Sequence, residues 1–220
     1  MESEKHVFFV RHGQSEANVD SIARGAVSKL TDKGLEQTKA VAERIQKFDI
    51  DTLIASPYVR TQQTAEAIAE RTGLPIETSE LFTERRQASE RIGRALHDPG
   101  VKDMEEKMFD GYAIPGHRYS DEENFDDLKE RACAALDFLA GHEGKRLCVV
   151  THGMFLRIML CAAIYGPTLR GEDMQHFIHS FETANTGICY LRYTTNPWAK
   201  PGEPNMEWRV ISVNDIAHFG

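Results

Sequence analysis

Two histidine-glycine pairs, each directly after a run of strand-forming residues, are the groups of this sequence best placed to act on a ligand. Arg11-His12-Gly13 follows residues 7–10, and His152-Gly153 follows residues 147–151. Glycine permits backbone conformations and close approaches that other residues forbid. In open α/β sheets, ligands bind beyond the carboxyl ends of the strands. The sequence therefore predicts one pocket to which both strands contribute.

A third predicted strand, residues 52–55, brings Arg60 to the same place. It ends at Ser56, and Arg60 follows about one helical turn later. If the strands are parallel, Arg11, His12, Arg60 and His152 line one pocket. Two guanidinium groups and two imidazoles repel one another unless an anion lies between them. A phosphoryl group is the best candidate, because the planar fork of arginine donors matches phosphate oxygens.

This set of residue types predicts phosphoryl transfer. A neutral imidazole in line with phosphorus can act as a nucleophile and divide the transfer into two easier steps. The leaving alkoxide then needs a proton, which a protonated carboxyl group can supply. Glu84, at the end of a strand-like segment, is the candidate for that acid.

Composition predicts one globular domain over residues 1–220, with 41% hydrophobic and 27% charged residues. A net charge of -8 argues against a nucleic-acid partner. The longest apolar segment, residues 154–164, is too short to span a membrane and contains Arg157. The first residues lack the pattern of a signal peptide. We expect a cytoplasmic protein that binds a small phosphorylated substrate and no membrane, and the oligomeric state is left open.

The cysteines are scattered, without metal-like spacing, and are interpreted as buried free thiols in a reducing compartment. They are Cys133, Cys148, Cys161 and Cys189.

Alternating strand and helix patterns predict an α/β fold, a three-layer α/β/α sandwich with a mostly parallel central sheet. The main predicted strands are residues 7–10, 52–55, 75–78 and 147–150, with late strands at 187–193 and 208–213 near an edge. The main predicted helices are residues 31–48, 57–72, 121–139 and 154–164. Ser56 is interpreted as an N-cap before Pro57, and Thr151 as a strand terminus. Residues 84–120 have the weakest pattern and are predicted to be an insertion that covers the substrate.

Four ordered motifs resemble the histidine phosphatase superfamily, also called the phosphoglycerate-mutase-like family. They are Arg11-His12-Gly13-Gln14-Ser15 with Asn18, Leu30-Thr31-Asp32-Lys33-Gly34, Ser56-Pro57-Tyr58-Val59-Arg60, and Val150-Thr151-His152-Gly153. The turn Asn185-Thr186-Gly187 is also similar. The resemblance implies a phosphoglycerate-mutase-like fold and a reaction that needs no metal and no organic cofactor.

The resemblance also implies roles for individual residues. His12 would be the nucleophile that becomes phosphohistidine, and Glu84 the proton donor. Arg11, Arg60 and His152 would bind the phosphoryl group. Further contacts to the substrate are assigned to Asn18 and Gly153.

Two departures from the mutase pattern favour hydrolysis. Mutases carry the acid in an Asn-Glu-Arg-His-Tyr-Gly motif, whereas residues 83–89 here read Thr-Glu-Arg-Arg-Gln-Ala-Ser. The loop over residues 22–28 also lacks the aromatic-containing mutase pattern. Arg85 and Arg86 either bind a second anionic group of the substrate or belong to a solvated charged loop.

Three functions stay open at this point. The favoured one is a phosphomonoesterase that hydrolyses a small phosphorylated metabolite. The second is a phosphoryl isomerase of the phosphoglycerate mutase type, and the third is a non-catalytic module that binds a phosphorylated ligand. No metal site is predicted, because His176 and His179 lack an obvious third ligand. The remaining histidines are predicted to be surface residues: His6, His97, His117, His142 and His218.

Overall fold

A computed structural model of the chain describes residues 4–202 and 205–219. Its strands form one six-stranded sheet in the order β3-β2-β4-β1-β5-β6. The strand bounds are β1 Lys5–Arg11, β2 Thr52–Ala55, β3 Ile76–Thr78, β4 Arg146–Thr151, β5 Ile188–Thr195 and β6 Met206–Asp215. The first four are parallel, while β5 and β6 pair antiparallel at one edge. This confirms the mostly parallel sheet and the position of the two late strands.

Helices cover both faces of this sheet. Their bounds are α1 Glu16–Val19, α2 Asp32–Gln46, α3 Val59–Thr72, α4 Pro99–Asp110, α5 Phe125–Gly141, α6 Gly153–Tyr165 and α7 Gly171–Ser180. Successive strand residues point to opposite faces. Phe8 and Val10 therefore pack with α2 and α3, while Val7 and Phe9 pack with α5 and α6. The predicted three-layer sandwich is confirmed.

Helix α6 contains the longest apolar segment of the sequence, residues 154–164, and lies in the core. Phe155, Leu156 and Ile158 on this helix are fully buried. Within the described ranges, no helix has the length and apolarity that crossing a membrane would require. The four cysteines are free, and three are buried, while Cys133 is half-buried.

Two helix starts differ from the predictions. Helix α3 begins at Val59 rather than Pro57, and no side chain caps it, so the N-cap interpretation of Ser56 is wrong. Helix α5 begins at Phe125 rather than at residue 121, because Asn124 caps it by accepting the N–H of Asp127 at 3.0 Å. Preceding residues form a turn in which Glu122 accepts two backbone N–H groups.

Residues 84–120 contain helix α4, which the sequence analysis missed. Charged residues separate its apolar side chains, but Val101, Met104 and Met108 are buried, and the two methionines pack with Ala88. The segment also binds the loop after α1, because Leu96 N–H donates to the Ser21 carbonyl at 2.6 Å. These contacts place the segment beside the sheet edge that carries the histidines. That it covers a substrate stays a prediction.

Candidate active site

The ends of β1, β2 and β4 meet at one edge of the sheet. Strands β1 and β2 lie on either side of β4, with Arg11 in register with Thr151. The His12 N–H donates to the Thr151 carbonyl at 3.0 Å, which continues the pairing past the strand end. A pocket of about 510 Å³ opens here, and its lining includes Arg11, His12, Arg60 and Glu84. Parallel pairing thus brings together residues that are far apart in sequence.

His12 is held as a neutral ring with its proton on Nδ1. This nitrogen lies 2.7 Å from the Gly13 carbonyl oxygen, which can only accept, so Nδ1 must donate. Nε2 accepts a hydrogen bond from Nε of Arg60 at 3.0 Å. Burial, followed by the charges of Arg60 and Arg11, lowers the pKa of His12 well below 6.5. Nε2 therefore carries a lone pair rather than a proton near neutral pH, which a nucleophile needs, and this lone pair accepts the Arg60 N–H in the ligand-free protein.

His152 is also buried and neutral, and its partner is Ser56. The Ser56 Oγ lies 2.8 Å from Nε2 of the ring. Because the hydroxyl proton needs an acceptor, Ser56 donates it to Nε2, and the ring proton lies on Nδ1. Burial, then Arg60 and His12, lower the pKa of His152 well below 6.5. Its Nδ1 has no partner among the described residues, which leaves a buried donor in a ring packed against His12.

The two guanidinium groups beside His12 are those of Arg11 and Arg60. Each donates a hydrogen bond to a backbone carbonyl and keeps other donors unused within the described ranges. Nη1 of Arg11 donates to the Thr183 carbonyl, while its buried Nε has no partner in the described part of the chain. Nη1 of Arg60 donates to the Gly25 carbonyl at 2.8 Å. Burial lowers the pKa of both groups, and the nearby Glu84 acts in the opposite direction. Each arginine keeps N–H groups that can donate hydrogen bonds to an anion.

Gly153 makes room for Arg11. A Cβ atom at Gly153 would lie 3.0 Å from Nε and 3.3 Å from Cζ of Arg11. A side chain there would crowd the guanidinium group that faces the pocket. The absence of a side chain at Gly153 therefore leaves room for the guanidinium group of Arg11.

Backbone N–H groups hold the carboxylate of Glu84 at the start of α6. One oxygen accepts from Arg85 and Phe155, both at 2.9 Å, and the other accepts from Met154 at 3.2 Å. Glu84 and His12 both line the pocket.

Asn18 lines the pocket and is oriented by its neighbours. Its Oδ1 accepts from the backbone N–H of Ser15 at 3.0 Å and from the Asn185 amide at 3.3 Å. The amide nitrogen of Asn18 is therefore the group left to bind a ligand. Asn185 also donates to the His12 carbonyl at 3.0 Å, a role that its turn motif did not predict.

Arg85 and Arg86 line the pocket, but protein acceptors occupy their side chains. Nη1 of Arg85 donates to the Tyr112 hydroxyl at 3.0 Å, and 11% of the side chain is exposed. Nε of Arg86 donates to the Asp121 carbonyl at 3.0 Å. Both contacts tie the pocket wall to the segment around them. The structure adds Arg157 to the lining. In the sequence, this residue is a single charge inside the apolar segment 154–164.

The other histidines do not join this site. His97 and His117 are exposed, as predicted. The surface prediction is wrong for three others, which are half-buried and bound: His6 by Tyr190, His142 by Glu77 and His218 by Thr186. His176 faces its own helix, contacting the Glu172 carbonyl, whereas His179 packs on Phe109.

The sequence model of the histidine phosphatase superfamily (branch 1) matches residues 7–200. This chain belongs to that superfamily. A protein named probable phosphoglycerate mutase GpmB from Enterobacter sp. (strain 638) is 31% identical over 219 residues, which cover 97% of this chain and 94% of the relative. The protein of the same name from Yersinia pestis (strain Pestoides F) is 30% identical over 217 residues, with the same coverage.

Solved structures show the same histidine phosphatase fold. A mycobacterial glucosyl-3-phosphoglycerate phosphatase has a TM-score of 0.73 at 19% identity, covering 96% of this chain and 99% of its own. A phosphoserine phosphatase from Entamoeba histolytica, in complex with 3-phosphoglyceric acid, has a TM-score of 0.73 at 20% identity, with 97% and 98% coverage. The superfamily relatives carry names of mutases and phosphatases, both of which transfer phosphoryl groups, and this supports phosphoryl transfer by this chain.

Proposed function

We propose that the protein is a phosphomonoesterase that hydrolyses a small phosphorylated metabolite through a phosphohistidine intermediate on His12. The observation that carries the proposal is the tautomer of His12. Its Nδ1 proton is held by the Gly13 carbonyl, so its Nε2 lone pair lies beside the guanidinium of Arg60. A neutral imidazole nitrogen beside an arginine that can stabilise charge on phosphoryl oxygens supports attack on a phosphoryl group.

In the first step, Nε2 of His12 attacks phosphorus and the bond to the ester oxygen breaks. The proton of the Glu84 carboxyl group passes to that oxygen, and the alcohol leaves. Arg11, Arg60 and the Nδ1–H of His152 stabilise the charge on the phosphoryl oxygens. The hydrogen bond from Nδ1 of His12 to Gly13 stabilises the positive imidazole ring of the intermediate.

In the second step, a water molecule attacks phosphorus and the bond to Nε2 breaks. The carboxylate of Glu84 accepts the water proton, which restores the starting state, and inorganic phosphate leaves. Residues at the rim of the pocket are open to solvent, with 48% of Ile92 exposed. Water can therefore enter the rim of the pocket, and the proposed second step requires that it also reach His12, which is itself buried.

The names of the curated relatives favour a second candidate, a phosphoglycerate mutase activity. A mutase must return the phosphoryl group to another hydroxyl before water reaches it. The two functions therefore differ in one observable, because hydrolysis releases phosphate and isomerisation does not. Binding of a phosphorylated ligand without turnover would give neither product.

The test is phosphate release from p-nitrophenyl phosphate and from a panel of natural phosphomonoesters, measured in the presence of EDTA. We expect release by the wild type, none by His12→Ala, and a labelled phosphoenzyme that is stable to alkali and labile to acid. Conversion of 3-phosphoglycerate to its isomer without phosphate release would favour the mutase. Binding without either product would overturn both enzymatic proposals.

A further inference from the structure

Arg131, on helix α5, binds the backbone just before Glu84. Its Nη1 donates to the carbonyl oxygens of Leu81 at 3.1 Å and of Thr83 at 2.9 Å. Its Nε and Nη2 donate to the two carboxylate oxygens of Glu123 at 2.7 and 2.8 Å. All three guanidinium nitrogens are therefore used within the chain, in the forked geometry that only an arginine can provide.

Glu123 extends these contacts to the other side of Glu84. One of its carboxylate oxygens accepts the backbone N–H of Arg86 at 2.7 Å. The backbone N–H of Glu123 also donates to the Arg86 carbonyl at 3.0 Å. The ion pair between Arg131 and Glu123 therefore binds the backbone both before and after Glu84.

The same guanidinium group also contacts helix α6. Its central carbon lies 3.8 Å from the centre of the Phe155 ring, a cation–π contact. The backbone N–H of Phe155 donates to the Glu84 carboxylate at 2.9 Å. Arg131 thus touches the segment that carries Glu84 and also the helix that holds its carboxylate.

The ion pair acts from outside the pocket. Within the described ranges, neither Arg131 nor Glu123 lines the pocket, whereas Glu84 does. Only 15% of the Arg131 side chain and 11% of the Glu123 side chain are exposed, so water competes little for these bonds. Both residues are therefore placed to support Glu84 and not to bind a substrate.

We propose that the Arg131–Glu123 ion pair is a positioning element, which holds the Glu84 carboxyl group where the leaving oxygen is protonated. The inference rests on the proposed phosphatase function and on Glu84 as its acid. A displacement of a catalytic group by about 1 Å can cost about 100-fold in rate. Two arms of the same ion pair, one on each side of Glu84, limit such a displacement.

The experiment compares the hydrolysis of an alkyl phosphate and of p-nitrophenyl phosphate by Arg131→Met. We expect kcat/KM for the alkyl phosphate to fall by about 10- to 100-fold, because its poor leaving group depends on the acid. The value for p-nitrophenyl phosphate should fall less than about threefold, since p-nitrophenolate needs little protonation. In a Glu84→Gln background, Arg131→Met should change either value less than about twofold, because the group that it positions is already absent.

Two further variants separate positioning from general support of the fold. Arg131→Lys keeps the charge but offers one nitrogen in place of three, so it should recover part of the ratio between the two esters. This variant also carries the test if Arg131→Met does not fold. Arg44→Met is the matched control, because it breaks another half-buried ion pair, with Asp215. An equal shift of the ratio in Arg44→Met and Arg131→Met would overturn the positioning role.

Amide hydrogen exchange tests the same role without turnover. In Arg131→Met or Arg131→Lys, the N–H groups of Arg85 and Phe155, which donate to Glu84, should exchange faster than in the wild type and in Arg44→Met. Unchanged exchange at these groups would overturn the inference. If the wild type hydrolyses no ester, the phosphatase proposal fails, while the exchange still decides whether the ion pair holds Glu84. If the wild type is active and the ratio of the two esters stays the same in the Arg131 variants, only the role of the ion pair is overturned.

Discussion

The hydroxyl group of Ser56 donates a hydrogen bond to Nε2 of His152, with the two atoms 2.8 Å apart. The same oxygen accepts a longer contact, 3.4 Å, from the backbone N–H of Tyr58. Both residues are fully buried, so water does not compete with this bond. Ser56 is thus a positioning residue, which orients the ring and places its proton on Nδ1.

Replacing Ser56 with alanine should lower kcat by about tenfold without abolishing turnover. The substitution leaves a buried Nε2 without a partner, at a cost of about 1–3 kcal/mol, and frees the ring to adopt the other tautomer. Steady-state kinetics over a range of pH measures both effects. Ser56→Thr, which keeps the hydroxyl, should recover part of the rate, and Thr72→Ala at the far end of α3 serves as control. A pH profile and a rate equal to those of the wild type would contradict the positioning role.

Glu84→Gln should slow the hydrolysis of alkyl phosphates much more than that of p-nitrophenyl phosphate. Protonation of a poor leaving group contributes about 10²- to 10⁴-fold, whereas p-nitrophenolate needs little help. The ratio of kcat/KM for the two esters measures the difference. The exposed Glu80 provides the control variant Glu80→Gln in the same segment. Equal losses on both esters would mean that Glu84 only supports the pocket through Met154 and Phe155.

The stability of the ligand-free protein should fall as the pH drops below about 6.5. Histidines of the unfolded chain have a pKa near 6.5, while burial keeps the pKa of His12 and His152 well below that value. The unfolded state therefore binds more protons than the folded state in this range, and the free energy of unfolding decreases with falling pH. Each ring contributes up to about 1.4 kcal/mol per pH unit.

Urea unfolding between pH 7.5 and 5, in a buffer free of phosphate and sulfate, measures this slope. His152→Gln should reduce the slope by the share of one ring, and the exposed His97→Gln should leave it unchanged. An unchanged slope in His152→Gln would show that His152 is protonated in the folded protein.

Gly153→Ala should lower activity while leaving the stability almost unchanged. The new Cβ would lie 3.0 Å from Nε of Arg11 and would displace the guanidinium from the phosphoryl site. We expect kcat/KM to fall by about tenfold, through the weakening of one charged hydrogen bond. Alanine favours a helix by up to about 1 kcal/mol over glycine, which offsets the crowding. Thermal unfolding and steady-state kinetics together measure the two effects, and full activity would contradict the steric role of Gly153.

Parallel strand pairing explains why the sequence predicts which residues lie together at the pocket. Three β-branched, apolar runs each end at a chemically active motif, and parallel pairing brings such ends to one edge regardless of their separation in sequence. The placement of His12 and His152 follows from this rule. Helix α2 was predictable because its apolar residues recur at helical spacing and because Thr31 caps its start, a common role of threonine.

Contacts between segments are what the sequence leaves undetermined. Ser56 stands before a proline, a local pattern for a cap, but its hydroxyl binds His152, which is 96 residues away. Helix α4 is buried through Val101, Met104 and Met108, a stripe of only three apolar residues between charged ones, and its contact with Ala88 comes from another segment. The sequence places Arg157 inside an apolar helix, and only the folded chain shows that it lines the same pocket as Arg85 and Arg86.

The backbone hydrogen bonds that hold Glu84 affect which parts of the sequence of such a protein can change. Glu84 stands at the start of the segment over residues 84–120, but the backbone N–H groups of α6 help to hold it, together with that of its neighbour Arg85. Main-chain donors stay the same when side chains are replaced. Residues 87–120 can therefore accumulate substitutions without removing these donors. If Glu84 is the acid of the proposed mechanism, the pocket wall can change while the acid keeps its place.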